Sequence, residues 1–160
     1  MVLKAFTERG DARRAWLLAL LSQFFVALSI LWNKDIALHQ TGLYLGGTVL
    51  AGISGYLCLY KIKSREGDIA LGEYHGHSYE HPVLAAVFLL TCLGLSGFPI
   101  TPTFIGIDLM FTHISANQLV LVLLTALNFL FLELTIIRIY ARIFLGQHKK
   151  TYHPIAFKSS

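Results

Sequence analysis

The sequence contains few charged residues and only two cysteines. Asp, Glu, Lys and Arg make up 14% of its 160 residues, whereas hydrophobic residues make up 55% and the mean hydropathy is +0.61. A soluble domain of ordinary composition carries about 25% charged residues. Cys58 and Cys92 each lie inside an apolar segment, which excludes a disulfide framework or a Cys-x-x-Cys site. The composition therefore predicts an integral membrane protein.

Recognisable catalytic and nucleic-acid-binding motifs are also absent. The sequence has no Gly-rich phosphate-binding loop, nucleophile elbow or HExxH motif. Its formal net charge of +4 comes from Lys and Arg residues that flank the apolar segments and form no patch with interleaved aromatic residues. We therefore expect a chain embedded in the lipid bilayer, with no catalytic residue, no cofactor, no nucleic-acid partner and no enzyme activity of its own.

Four apolar segments are long enough to cross a bilayer, which requires roughly twenty residues. They comprise residues 15–32, 41–60, 83–111 and 118–143. The sequence thus predicts an all-α membrane protein with four transmembrane helices in a single domain, residues 1–160. Lys and Arg are concentrated before the first segment, in the loop 61–82 and after the fourth segment. By the positive-inside rule, both termini and this loop are cytoplasmic.

The third segment is interrupted in its middle by Gly97, Pro99, Thr101 and Pro102. Proline removes a backbone donor and clashes with the preceding turn, so a helix here must kink or split. The third transmembrane helix is therefore predicted to be discontinuous between Gly97 and Pro102. Broken helices with an ionisable neighbour commonly line ion or solute paths in membrane proteins.

Two acidic residues lie in the later apolar segments, Asp108 beyond the break and Glu133 in the fourth segment. A carboxylate near the bilayer centre costs about 2.5–3.5 kcal/mol on insertion scales, so each must face protein or water or be protonated. One interpretation is a proton or ion path, which Asn128, His113 and Arg138 would extend. The other is structural: Asp108 caps a helix or lies at the interface, and Glu133 hydrogen-bonds to a neighbouring helix.

The loop 61–82 contains three histidines, His75, His77 and His81, among carboxylates. This spacing would allow a metal ion to bind if the loop folded around it. The alternatives are an ordinary solvated loop and a pH-responsive contact, because histidine titrates near neutral pH.

Small residues recur at helical spacing in the second apolar segment. Gly42 and Gly46 form one pair, and Gly47, Ala51 and Gly55 form a row. Small residues allow helix backbones to approach closely, so this pattern predicts helix packing.

Four stretches carry a resemblance to a known family. They are LGEYHG (71–76), HPVLAA (81–86), LSGFPITPTFIG (95–106) and RIYARIFLG (138–146). Together they resemble the inner loop, the later discontinuous helix and the following helix end of antiporter-like, proton-conducting subunits of respiratory complex I and of Mrp-type cation/proton antiporters. The resemblance covers roughly the second half of the chain.

The resemblance implies a small subunit of a membrane energy-transducing complex, such as a proton-translocating oxidoreductase or an antiporter, in the bacterial cytoplasmic membrane. Partner membrane subunits would supply the remaining helices, and this chain would contribute to proton or coupled-ion translocation. The family's lysine falls on Ile107, and Thr103 stands where the family has glycine. Because this amine is missing, the alternative is a structural or assembly subunit that has lost proton conduction. A third reading is a metal- or pH-sensing membrane protein that uses the histidines of loop 61–82.

Overall fold

The computed structural model describes residues 1–32, 38–112 and 118–146. These residues contain no strand, and their six α-helices are α1 (Val2–Thr7), α2 (Ala12–Leu31), α3 (Leu38–Glu66), α4 (Pro82–Leu95), α5 (Pro102–Thr112) and α6 (Leu119–Phe144). Two of them contain segments long and apolar enough to cross a membrane, Thr41–Glu66 in α3 and Leu119–Phe144 in α6.

The helices follow the predicted segments with two differences. The helix α3 continues to Glu66, into the stretch predicted as loop, and its last turn carries Lys63 and Arg65. Cations in the last turn interact favourably with the negative end of a helix dipole. The short helix α1 was not predicted; it packs against α2 and α6 and buries Val2 and Ala5.

The main core is centred on Trp16 of α2. Its indole N–H donates a hydrogen bond to the carbonyl oxygen of Gly52 at 2.9 Å, and its ring lies 5.0 Å from that of Phe88 in α4, centroid to centroid. A Cβ atom on Gly55 would overlap the Trp16 ring. Glycine at position 55 thus allows a buried tryptophan to lie directly on the backbone of α3.

The helices α3 and α5 also approach each other at backbone distance. A Cβ atom on Gly47 would lie 2.6 Å from the backbone nitrogen of Thr103, and one on Gly106 would lie 2.6 Å from the backbone of Tyr44. Side chains at either glycine would separate the two helices. The row Gly47, Ala51 and Gly55, which predicted helix packing, therefore contacts both α5 and Trp16.

A second face of α3 remains outside this packing. A Cβ atom on Gly42 or Gly46 would meet nothing within 4 Å among the described residues. Further along the same face, Leu50, Ile53 and Leu57 are 66%, 57% and 59% exposed. The small-residue pattern therefore divides into one face that packs within the chain and one that is open.

One end of the bundle is joined by backbone hydrogen bonds between distant parts of the sequence. Segment 67–81 bonds to the residues before α2 on one side and to the last turn of α6 on the other. The bonds run from Leu71 N–H to Arg9 (2.9 Å) and, on the α6 side, from His75, His77 and Ser78 N–H to Arg142, Ile143 and Phe144 (2.9–3.1 Å). These last bonds satisfy carbonyl groups that the end of a helix leaves without a partner.

Candidate functional site

The interrupted helix is built around Gly97. The helix α4 ends at Leu95 and α5 begins at Pro102. Between them Gly97 has a φ of +73°, in the left-handed region that favours glycine. The Phe98 carbonyl, four residues before Pro102, accepts both the N–H and the hydroxyl of Thr101, at 2.8 and 2.7 Å.

The second half of the broken helix continues in the direction of the first. As the chain advances through α4 and α5, its contacts move toward the start of α3. Gly94 of α4 faces Ala51, and Thr103 of α5 faces Gly47. Gly106 of α5 then faces the backbone one turn earlier in α3, at Tyr44. The helices α4 and α5 therefore form one discontinuous element that runs antiparallel to α3.

A buried polar network lies beside this element. The Tyr44 hydroxyl donates to Gln23 Oε1 at 2.6 Å, and Gln23 Nε2 donates to Ser22 Oγ at 3.0 Å. The Ser22 hydroxyl in turn donates to the Ala19 carbonyl at 2.7 Å. All three hydrogen-bonding side chains are at least 96% buried. The network joins α2 to α3 in the interior, where an unpaired polar group would be costly.

A cavity of about 410 Å³ adjoins the network between α1, α2 and α6. Its polar lining comprises Ser22, Ser29, Thr125 and Asn128. The buried Asn128 Nδ2 atom has no hydrogen-bond acceptor among the described residues. The cavity is large enough for several water molecules and has polar groups to bind them.

Ile107 connects the break to the polar network. Its Cδ1 atom lies against Gly97, where a Cβ atom would come within 2.7 Å of it. Ile107 also packs on a small buried cluster that contains Val26, Ala27 and Tyr44. The position at which the resemblance expects a lysine therefore points inward, next to the network, but it carries an apolar side chain.

Asp108 lies on a different face of α5. Thr103 and Gly106 contact α3, and the 100° spacing per residue in a helix places Asp108 away from that contact. Its side chain is exposed, and no described residue forms an ion pair with it. Asp108 is therefore on the outside of the bundle and does not contact the buried network.

Glu133 is exposed as well, but in a separate groove between α4 and α6. This groove has a volume of about 470 Å³, and its polar groups include Ser96 and Tyr140. The structure does not bring Glu133 and Asp108 together, since they line different surfaces. His113 lies outside the described residues, so its relation to Asp108 is not described.

Arg138 of α6 holds α1 against the bundle. Its guanidinium donates to the backbone carbonyls of Phe6 and Glu8, and it lies over the Phe6 ring at 5.7 Å from the centroid. It therefore binds the C-terminal end of α1, where helix carbonyls lack partners. No ion pair joins it to Glu133 within the described part of the chain.

The three histidines of the loop have different partners. His75 Nε2 lies 2.8 Å from the Ala70 carbonyl oxygen, and its ring stacks on that of His77. His81 Nε2 lies 2.8 Å from Glu66 Oε1. Ligand atoms of Glu66, Glu80 and His81 all lie within 4.8 Å of one another. The group that could hold a cation thus combines His81 with two carboxylates.

Burial of His77 lowers the pKa of its imidazole, although the negative charges of Glu66 and Glu80 act in the opposite direction. Its Nε2 atom has no partner among the described residues. A lowered pKa keeps this histidine neutral near physiological pH, which suits its buried position.

Gln23, Tyr44 and Ser22 were not among the residues predicted from the sequence. The available signal was Gln23, an amide in the middle of the first apolar segment, since polar side chains inside membrane spans usually face the bundle interior. No protein-family model and no solved structure matches the chain.

Proposed function

We propose that this chain is a small subunit of a membrane energy-transducing complex that contributes to proton or coupled-ion translocation together with partner subunits. The observation that carries the proposal is the break between α4 and α5, which is connected through Ile107 to the buried Tyr44–Gln23–Ser22 network. A discontinuous helix that packs next to buried polar groups is the arrangement from which membrane proteins build solute paths.

The proposed topology has four crossings: α2, α3, the α4–α5 pair and α6. The 20 residues of α2 correspond to about 30 Å of helix, the thickness of a bilayer's hydrocarbon core. The contacts of segment 67–81 bring the end of α3 and the end of α6 to the same side. Basic residues are concentrated there, so we place this side in the cytoplasm of a bacterium.

The buried network would orient water and would not store a proton. Serine and glutamine side chains do not titrate, and tyrosine ordinarily loses its proton near pH 10. Ile107 stands in place of an amine, and no Lys or Arg is buried among the described residues. Water held by Asn128 and Ser22 in the adjoining cavity would complete a hydrogen-bonded route.

Proton exchange would fall to Asp108 and Glu133, both of which are exposed on the outer surface of the bundle. An ionised carboxylate facing lipid is unfavourable by about 2.5–3.5 kcal/mol near the bilayer centre. A partner subunit that covers these two surfaces would supply polar groups or water. The exposed carboxylates therefore support a complex in which neighbouring chains complete the path.

The test is proton flux through the native complex, purified through a tag on this chain and reconstituted into vesicles that contain a pH-sensitive dye. We expect Asp108→Asn and Glu133→Gln each to reduce flux about tenfold or more, and Gln23→Leu to reduce it less. Ser54→Ala, which removes an exposed hydroxyl outside the network, is the control. Unchanged flux in the Asp108→Asn, Glu133→Gln double variant would overturn the relay role.

A structural or assembly subunit without conduction is the second candidate, and the packing of Ile107 favours it. The position that carries an amine in the family that the sequence resembles is occupied by Ile107, whose apolar side chain fills space between Gly97 and Tyr44. On this reading flux is insensitive to both carboxylates, whereas Gly46→Leu, on the open face of α3, reduces recovery of the complex. Measuring flux and subunit recovery on the same preparations separates the two candidates.

A further inference from the structure

Three arginines converge in a pocket at the end of the bundle where α1, segment 67–81 and α6 meet. The pocket has a volume of about 330 Å³, and its lining includes Arg9, Arg138 and Arg142 with the backbone of Gly72. Among the described residues, the lining contains no acidic side chain. The site lies apart from the polar network and from both candidate carboxylates.

Two of the guanidinium groups are held in place by neutral partners. Arg138 donates to the carbonyls of Phe6 and Glu8. Arg142 donates to the Gly72 carbonyl at 3.3 Å and lies over the Tyr74 ring at 4.2 Å from its centroid. Carbonyls and a ring face orient these groups without neutralising them, and each guanidinium has five N–H donors.

No salt bridge among the described residues balances the charge of the pocket. Within the described ranges, the ion pairs join Asp11 to Arg13 and Lys63, and Glu66 to His81. The Glu8 carboxylate, adjacent to Arg9 in sequence, accepts the Gly10 N–H at 2.9 Å. The charges of Arg9 and Arg142 repel that of Arg138, and the Glu8 carboxylate offsets this repulsion without forming an ion pair among the described residues, so a bound anion would stabilise the pocket.

We propose that this pocket binds the phosphate group of an anionic phospholipid. Arginine matches phosphate geometry through paired N–H donors, and basic pockets at the cytoplasmic ends of transmembrane helices suit anionic headgroups. Exposed leucines lie one helical turn from the pocket on two helices, Leu3 before Thr7 in α1 and Leu134 before Arg138 in α6. An acyl chain lying along these leucines distinguishes a lipid from free phosphate.

Binding can be measured on the full chain in detergent by native mass spectrometry with increasing phosphatidylglycerol, and with phosphatidylcholine as the zwitterionic reference. We expect phosphatidylglycerol to bind about tenfold more tightly than phosphatidylcholine. Arg9→Gln and Arg142→Gln should each abolish most of this preference, because each removes a charged donor. Arg9→Gln is the cleaner variant, since the backbone of Arg9, and not its side chain, bonds to Leu71.

The matched control is Arg14→Gln, which removes the same charge from an exposed position in α2 outside the pocket. It should keep the full preference for phosphatidylglycerol. An equal loss in Arg14→Gln would mean general surface attraction and would overturn the proposal. So would equal binding of the two lipids, or displacement of phosphatidylglycerol by inorganic phosphate at comparable concentration.

Discussion

Two regions of this bundle differ in how their polar groups are paired. At the end where segment 67–81 meets α6, backbone bonds and arginine–carbonyl contacts join distant parts of the chain. Among the described residues, four buried side-chain atoms have no partner: His77 Nε2 lies at this end, whereas Asn128 Nδ2 and the hydroxyls of Thr41 and Thr103 lie elsewhere in the bundle. The well-paired end fixes the helices, and the interior retains groups that can bind water or a solute.

The largest expected effect tests whether the bundle depends on the close approach of the α3 and α5 backbones. We expect Gly47→Leu to lower the free energy of unfolding by about 3 kcal/mol or to prevent folding, because the new side chain would meet the backbone of Thr103. Thermal unfolding in detergent, followed by circular dichroism, measures the change. Gly46→Leu adds the same side chain next to this position, where a Cβ atom meets nothing, and should leave the isolated chain's stability nearly unchanged. Equal destabilisation by both would contradict the α3–α5 contact.

A smaller effect is expected from the buried hydrogen bond between Tyr44 and Gln23. We expect Tyr44→Phe to cost about 1–2 kcal/mol of unfolding free energy, because it leaves Gln23 Oε1 without its donor in a buried site. Gln23→Leu in the Tyr44→Phe background should recover part of this loss, since both partners are then apolar. A double-mutant cycle on unfolding free energies checks the coupling, and strict additivity would contradict a direct bond.

The smallest effect concerns pH at the well-paired end. Burial alone would raise the pKa of Asp11, but hydrogen bonds from Arg13 and Lys63 outweigh it and hold the pKa far below its usual range. A lowered pKa in the folded state means that the stabilisation is present above the unfolded-state value, near 3.9, and is lost as the pH falls below it.

We therefore expect Asp11→Asn to be less stable than the wild type by about 1 kcal/mol at neutral pH, with Lys63 partly exposed and the pair screened. The difference should shrink as the pH is lowered from about 4 toward 2. Melting temperatures of both proteins across this range test the prediction. A constant difference down to the lowest pH would show that Asp11 acts through packing and not through its charge.

Apolar length and proline were sufficient to place most of the helices. Long apolar segments predicted the positions of α2, α3 and α6, and Pro99 and Pro102 predicted the interruption between α4 and α5. The helix α1 could not be predicted, because six residues are too few to be stable without tertiary contacts.

The site was less predictable than the fold. Asp108 and Glu133 were selected as acids in apolar segments, but their placement on separate outer surfaces depends on helix rotation, which side-chain identity does not specify. The hydrogen bond between Gln23 and Tyr44 joins two helices. It depends on how α2 packs against α3, which the sequence of neither helix specifies. The three histidines lie in segment 67–81, and their individual partners depend on how that segment lies against α3 and α6, which the sequence does not specify.

The hydrogen bonds between segment 67–81 and α6 have a consequence for biosynthesis. The carbonyls that receive His75 and His77 belong to Arg142 and Ile143, far later in the chain. During translation the N–H groups of His75, His77 and Ser78 therefore lack these acceptors until the ribosome has made the end of α6, whereas the bond from Leu71 to Arg9 can form earlier. A chain whose synthesis stops before Arg142 would keep segment 67–81 joined to the residues before α2 on one side only.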